Sequence, residues 1–291
     1  MLSDLFSTVA PIFACAGIGY LWARSGQPYD TKIITKLVSY IGVPCLIFTT
    51  LVKVDGLSIE IGYVALAAFC CVIVCTIFGA LVLRISRLPL RTYLAPIVFS
   101  NSGNMGLPLC LFAFGETGLA LGIGFFAVTA TIQLTFGQWL FSGLPNPIPL
   151  LKAPMPYAVA LGAILMIFNL QPPVFLTNTT GLLGDLAIPL MMLTLGVSLA
   201  RMKVLRISRT LNLSLLRLGM GACAGFGLAE LFGLEGQSRG VLIIQSMMPV
   251  AVFNYLFAQY YERDPEEVAS LVVFSSLLGL ALLPLIVFAA S

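Results

Sequence analysis

Apolar runs of about twenty residues, each closed by a charge, a glycine or a proline, recur along the whole chain. A helix needs a run of that length to cross the hydrocarbon core of a bilayer. The runs predict helices over 5–23, 31–52, 59–83, 92–114, 118–141, 154–171, 181–200, 209–232, 238–260 and 267–289. The fourth and fifth are divided at Gly115-Glu116-Thr117-Gly118, and the eighth carries Arg217. One stretch breaks the pattern from within. Ser100-Asn101-Ser102-Gly103-Asn104-Met105-Gly106-Leu107-Pro108 puts two amides, two hydroxyls, two glycines and a proline inside the fourth run. Irregular backbone is tolerated at membrane depth only where protein or a water-filled cavity covers it. Such a breach marks a place where a polar solute is handled.

Composition excludes a soluble alternative. The 291 residues are 59% hydrophobic and 9% charged, with mean hydropathy +1.03, whereas soluble domains carry about 25% charged residues. The prediction is an all-α integral membrane protein. The chain contains no histidine, which removes His metal sites, His proton relays and His-activated nucleophiles. Cys15, Cys45, Cys70, Cys71, Cys75, Cys110 and Cys223 all fall in apolar runs without a CxxC pair and read as small buried hydrophobes. Met1-Leu2-Ser3-Asp4 lacks a basic n-region, so the first run is expected to be a retained span.

Charge tests the count of ten. Arg24, Lys32, Lys36, Arg84, Arg87, Arg91, Lys152, Arg201, Lys203, Arg206, Arg209 and Arg263 fall on one side of a ten-span path. Lys53 and Arg239 fall on the other. By the positive-inside rule the rich side is cytoplasmic, with both termini outside. The segment from Ser142 to Lys152, with Pro145, Pro147 and Pro149, separates five runs from five. The expected organisation is a first repeat over 1–141, a cytoplasmic linker over 142–153 and a second, inverted repeat over 154–291. Inverted repeats build many secondary transporters. Val43-Pro44-Cys45-Leu46-Ile47 in the second run resembles Ile188-Pro189-Leu190-Met191-Met192 in the seventh. Pro108 in the fourth run has its counterpart in Pro249 of the ninth.

In the fourth run, Pro108 is expected to free the helix near Asn104, since it has no N–H and crowds that carbonyl. Gly103 and Gly106 lower the cost of unwinding. Asn101 and Asn104 offer donors and acceptors on one face if the stretch stays helical. The half-helix beginning near Pro108 aims its positive end into the gap, which suits an anion. In the ninth run Pro249 follows Gln245, and Asn254 lies in the same span. Interhelical hydrogen bonding is the other reading of these amides. Thr129, Thr131 and Gln133 interrupt the fifth run and offer a carbonyl or hydroxyl to line a cavity; for Thr49 and Thr50 in the second run, bonding to their own backbone is an equal reading. Asp185 is a candidate proton or cation site, or a carboxylate favoured at the start of the seventh helix. Arg217 either pairs with an acid or a substrate anion, or snorkels. Glu262-Arg263-Asp264-Pro265-Glu266-Glu267 reads as a solvated loop capping the tenth helix. Gly181-Leu182-Leu183-Gly184-Asp185 is not the GxGD of an intramembrane aspartyl protease, and a phosphate-binding GxxxxGK[ST] loop is lacking. No enzyme activity is expected.

Three stretches carry a family resemblance: Asn101-Ser102-Gly103-Asn104-Met105-Gly106-Leu107-Pro108-Leu109, Ile188 to Ala200, and Met248-Pro249-Val250-Ala251-Val252-Phe253-Asn254-Tyr255. They resemble the auxin efflux carrier family, the plant auxin carriers and their bacterial relatives. The resemblance implies a ten-helix inverted-repeat fold like that of bile-acid carriers and Na⁺/H⁺ antiporters. The broken fourth and ninth helices would cross near the midplane, and a scaffold would move against a crossover domain in an elevator. Organic anions are the implied substrates: auxin, malonate or malate. Asn101 matches the family asparagine before the crossover, Pro108 and Pro249 the crossover prolines, and Gln133 more loosely a fifth-helix polar residue. The long hydrophilic loop of many plant carriers is missing, which favours a bacterial inner-membrane protein. A homodimer is a family expectation.

The sequence therefore predicts a secondary transporter of a small organic anion. Asn101, Asn104, Gln133, Gln245 and Asn254 are its substrate-binding candidates, with Gly103, Gly106, Pro108 and Pro249 as crossover backbone. H⁺ or Na⁺ is the candidate coupling ion. No cofactor, metal site or nucleic-acid partner is expected. A bile-acid-type sodium symporter and a non-transporting membrane sensor are the alternatives.

Overall fold

A computed structural model of the chain describes residues 2–53, 58–143, 148–201 and 206–290. The linker prolines Pro145 and Pro147 and the basic Lys203 lie outside the described residues. Where backbone must satisfy itself, apolar runs become helices. The helices are α1 Leu2–Arg24, α2 Thr31–Lys53, α3 Ser58–Ile85, α4 Leu90–Val98 and α5 Ser102–Ser142. After the short α6 Ile148–Lys152 come α7 Met155–Ile167, α8 Val174–Arg201 and α9 Ile207–Leu231. The chain ends with α10 Gly236–Met247, α11 Val252–Tyr260 and α12 Pro265–Ala290.

Each of the ten apolar runs is helical, but they are not ten uniform rods. Among the described residues, six helices are long and apolar enough to cross a membrane by length and composition. Of the four other runs, the fourth and ninth are each cut in two, the sixth forms α7 of only 13 residues, and the first, α1, is likewise not among the six. The cut in the fourth run differs from the expected one. Phe99 is extended, Ser100 forms a bridge and Asn101 (φ −76°, ψ 49°) leads into the next helix, whereas Pro108 sits early in the α-helical segment that follows Gly106. It comes just after the widened turn at Ser102 to Gly106, so it lies inside the helical stretch that restarts at Ser102 rather than at the break. Between break and helix the carbonyl of Asn101 accepts both Met105 N–H (3.2 Å) and Gly106 N–H (3.1 Å), which widens the turn into a π-helical one. Asn101 and Asn104 therefore do not share one regular helical face.

α5 turns back on itself. Gly115 takes φ 66°, ψ −156°, a conformation glycine supplies at no steric cost. A Cβ on Gly122 would lie 3.3 Å from Cys110 Cβ, although twelve residues of straight helix would span about 18 Å. The expected division at Gly115 is thus a reversal of the chain.

The helices sort into two sets by packing. In one, the second half of α8 lies along α1, while α7 and the first half of α8 flank the C-terminal half of α2. In the other, α5 packs on α3 and α10, α9 on α10 and α12, and α11 on α12. Contacts between the sets are sparser and run from α1 to α5 and α12, and from α2, α7 and α8 to α5, including α8 against the turn at Ser102 to Gly106. The first set draws on the first two helices of each half of the chain. At its edge Asp30 caps α2, accepting from Lys32 N (2.9 Å) and Ile33 N (3.0 Å). Tyr29 Oη meets Thr194 Oγ1 at 2.7 Å, and burial pushes that phenol above its ordinary value.

Candidate functional site

The two breaks meet. α4 ends in extended backbone at Phe99, and α10 and α11 are separated by extended residues at Met248 and Ala251. Ser100 and Val250 face each other as an antiparallel bridge. Asn101 N–H donates to the Pro249 carbonyl at 2.7 Å, and Ala251 N–H to the Phe99 carbonyl at 3.1 Å. Val250 N–H finds the Ser275 hydroxyl of α12 at 3.0 Å. Proline suits this position because it has no N–H to satisfy. The backbone donors freed at the crossing are thus largely paired within the protein, as a buried break requires.

The side-chain amides are not. Asn101, Gln245 and Asn254 are buried at 4%, 0% and 0% exposure. Among the described residues, Asn101 Nδ2, Asn254 Nδ2 and Gln245 Oε1 have no hydrogen-bond partner. Gln133 Nε2 donates to Asn254 Oδ1 at 3.2 Å, which joins the fifth run to the ninth. Gln245 lies in a slot made by missing side chains. A Cβ on Gly106 would stand 2.1 Å from Gln245 Oε1, and Gln245 Nε2 reaches the Gly122 carbonyl at 3.4 Å. Asn104 is half-buried on the π turn. Gly103 lies under the Phe126 ring, 2.9 Å from a notional Cβ.

An unpaired buried amide costs about 1–3 kcal/mol, so three near one crossing leave unused capacity for a polar ligand. Two of the three are N–H donors and suit an acceptor such as a carboxylate. The chain restarts as helix at Ser102 and at Val252 beside the crossing, where the dipoles favour negative charge.

Other candidates lie elsewhere or behave differently. Asp185 is exposed and lines a separate cavity of about 260 Å³ with Glu116, Lys53, Thr49 and Thr50. It ends the helical segment Val174–Asp185, two residues before the chain restarts as helix at Ala187, so it stands just outside a helix start as the sequence expected. Thr49 does not bond its own backbone; it donates to Thr180 Oγ1 at 2.9 Å. Arg217 neither snorkels nor meets a buried acid: it is 1% exposed and donates to the Ser246 carbonyl at 2.8 Å. Glu267 accepts from Arg206 (3.0 Å) and Arg209 (3.4 Å), a more specific role than a solvated cap. Thr129, singled out in the sequence, meets Ser102 at 3.3 Å. One contributor went unread: Ser275 takes the Val250 N–H. A paired Ser275-Ser276 in an otherwise apolar run was the available signal.

The family model described as membrane transport protein matches residues 4–148 and 145–288. The chain belongs to this family. Membership bears out the resemblance to the auxin efflux carriers. The chain is also 26% identical over 273 residues to an "uncharacterized transporter" of Methanocaldococcus jannaschii, covering 87% of this chain and 88% of the relative. A second "uncharacterized transporter", from Methanothermobacter thermautotrophicus, is 27% identical over 293 residues, 96% of each chain. Like the other members of the membrane transport protein family, the chain is a multi-pass membrane protein with a general role in transport.

Proposed function

We propose that this chain is a secondary transporter of a small organic anion, a carboxylate of the auxin, malonate or malate kind, and that the anion sits at the crossing of the two breaks. The orphaned buried donors of Asn101 and Asn254 carry this reading, because a carboxylate would satisfy both. Gln245, Asn104 and Gln133 complete the polar lining. Gly103, Gly106, Pro108 and Pro249 keep the backbone open enough for it.

The same reading takes the chain as two inverted five-helix repeats, 1–141 and 154–291, around a linker at 142–153. Support comes from the antiparallel meeting of the fourth and ninth runs and from the equal share of each half in the first packing set. The sparse contacts between sets suit an elevator-like alternation, with the second set carrying the crossing past the first. Asp185, away from the crossing, is a candidate for proton access rather than for substrate.

The test is a thermal-unfolding panel of mono- and dicarboxylates on the purified protein. The account predicts that at least one carboxylate, malonate first among them, raises the unfolding midpoint in a saturable way. It also predicts that Asn101→Ala abolishes that rise. A panel without any rise, or a rise untouched by Asn101→Ala, contradicts the site.

A further inference from the structure

Among the described residues, Arg217 is the only charged side chain that is buried. Its Nη2 donates to the Ser246 carbonyl, in the last turn of α10, where the half-helix presents its negative end. The approach is close because α9 offers Gly221 there: a Cβ would lie 2.1 Å from that carbonyl oxygen. Nε and Nη1 have no hydrogen-bond partner. The Cys75 sulfur lies against the guanidinium, and Cys71 Sγ donates to Ser246 Oγ at 3.6 Å. Thiols are weak acceptors and do not neutralise a cation.

A buried charge without a partner is costly. Carbonyls at the ends of broken helices are where secondary transporters hold coupling cations. Here a guanidinium already stands on such a carbonyl, one residue from Gln245. The amides at the crossing are neutral, so Arg217 is the permanent positive charge in the described interior. We infer that Arg217 is a resident cation that stands in for a coupling ion, so the anion binds at the crossing without sodium. The inference rests on the anion-carrier reading above. Arg217 touches α10 rather than the anion and is a positioning residue, acting through its field in a low-dielectric interior.

The experiment uses the purified full chain in detergent, in sodium chloride and in choline chloride, with malonate as the probe. Expected are equal unfolding midpoints in the two salts without malonate, and equal malonate affinities. Arg217→Lys retains binding in both salts. Arg217→Gln weakens malonate at least about tenfold. Cys75→Asp gives the guanidinium a buried carboxylate partner without removing it; it is expected to weaken malonate similarly while leaving the protein folded. That loss is one a merely structural arginine would not produce, and the variant keeps the test decisive if Arg217→Gln does not fold. Sodium-specific stabilisation of the malonate-free protein overturns this inference alone. So does wild-type malonate affinity in a folded Cys75→Asp variant. Malonate that moves the wild-type midpoint in neither salt overturns the anion reading, and this inference with it.

Discussion

Gly106 and Gln245 show how one residue type decides the site. The amide oxygen of Gln245 occupies the space where a Gly106 side chain would be. Gly106→Ala should lower the unfolding midpoint by an overpacking cost of about 1–3 kcal/mol. Gly227→Ala, with open space around its Cβ, should shift stability by no more than about 0.5 kcal/mol. Equal effects of the two in thermal unfolding would refute the slot. Gln133 and Asn254 make a second residue-scale case. Their hydrogen bond spans 121 positions of sequence, so a double-mutant cycle on malonate binding should give a coupling of about 0.5–3 kcal/mol. Single-residue chemistry was partly legible in the sequence. Amides in an apolar run announce themselves by their cost, which is why Asn101, Gln245 and Asn254 stood out and are buried. Which of their atoms lack a partner depends on neighbours distant in sequence. Asp185 was legible as a carboxylate near a helix start, because the chain does restart as helix at Ala187.

At the scale of elements, the break is an interaction between segments rather than a property of either. Proline was the sequence marker, and it worked for Pro249, which lies within the extended residues. It misplaced the other break, because Pro108 lies inside the helical stretch that restarts at Ser102, while Phe99 to Asn101 pair with Pro249 to Ala251. Pairing across the molecule has no local signature. The same logic gives Ser275 its role. Ser275→Ala removes the acceptor of the Val250 N–H and leaves a buried donor costing about 1–3 kcal/mol. The expected result is a lower unfolding midpoint and faster hydrogen exchange at the Val250 amide. Unchanged exchange there would remove Ser275 from the crossing. Gly115 is the favourable case, since a glycine between two apolar runs marked the reversal of α5.

For the whole molecule, hydropathy was a strong guide because the bilayer acts on every residue alike. Among the described residues each predicted apolar run is largely helical, even where it is cut in two. The division into two packing sets was not legible, since it joins helices from opposite halves of the chain. The charge bias predicts both termini outside the cytoplasm. A C-terminal alkaline phosphatase fusion should be active and a C-terminal green fluorescent fusion dark in a bacterial host; the reverse would overturn the proposed orientation.

The central claim is that the crossing binds what the protein carries. Its most direct test is exchange of radiolabelled malonate in proteoliposomes reconstituted with wild type or with the Asn101→Ala/Asn254→Ala double variant. The account predicts exchange by wild type and a fall of at least about tenfold in the folded double variant. Exchange at the wild-type rate in that variant would contradict it.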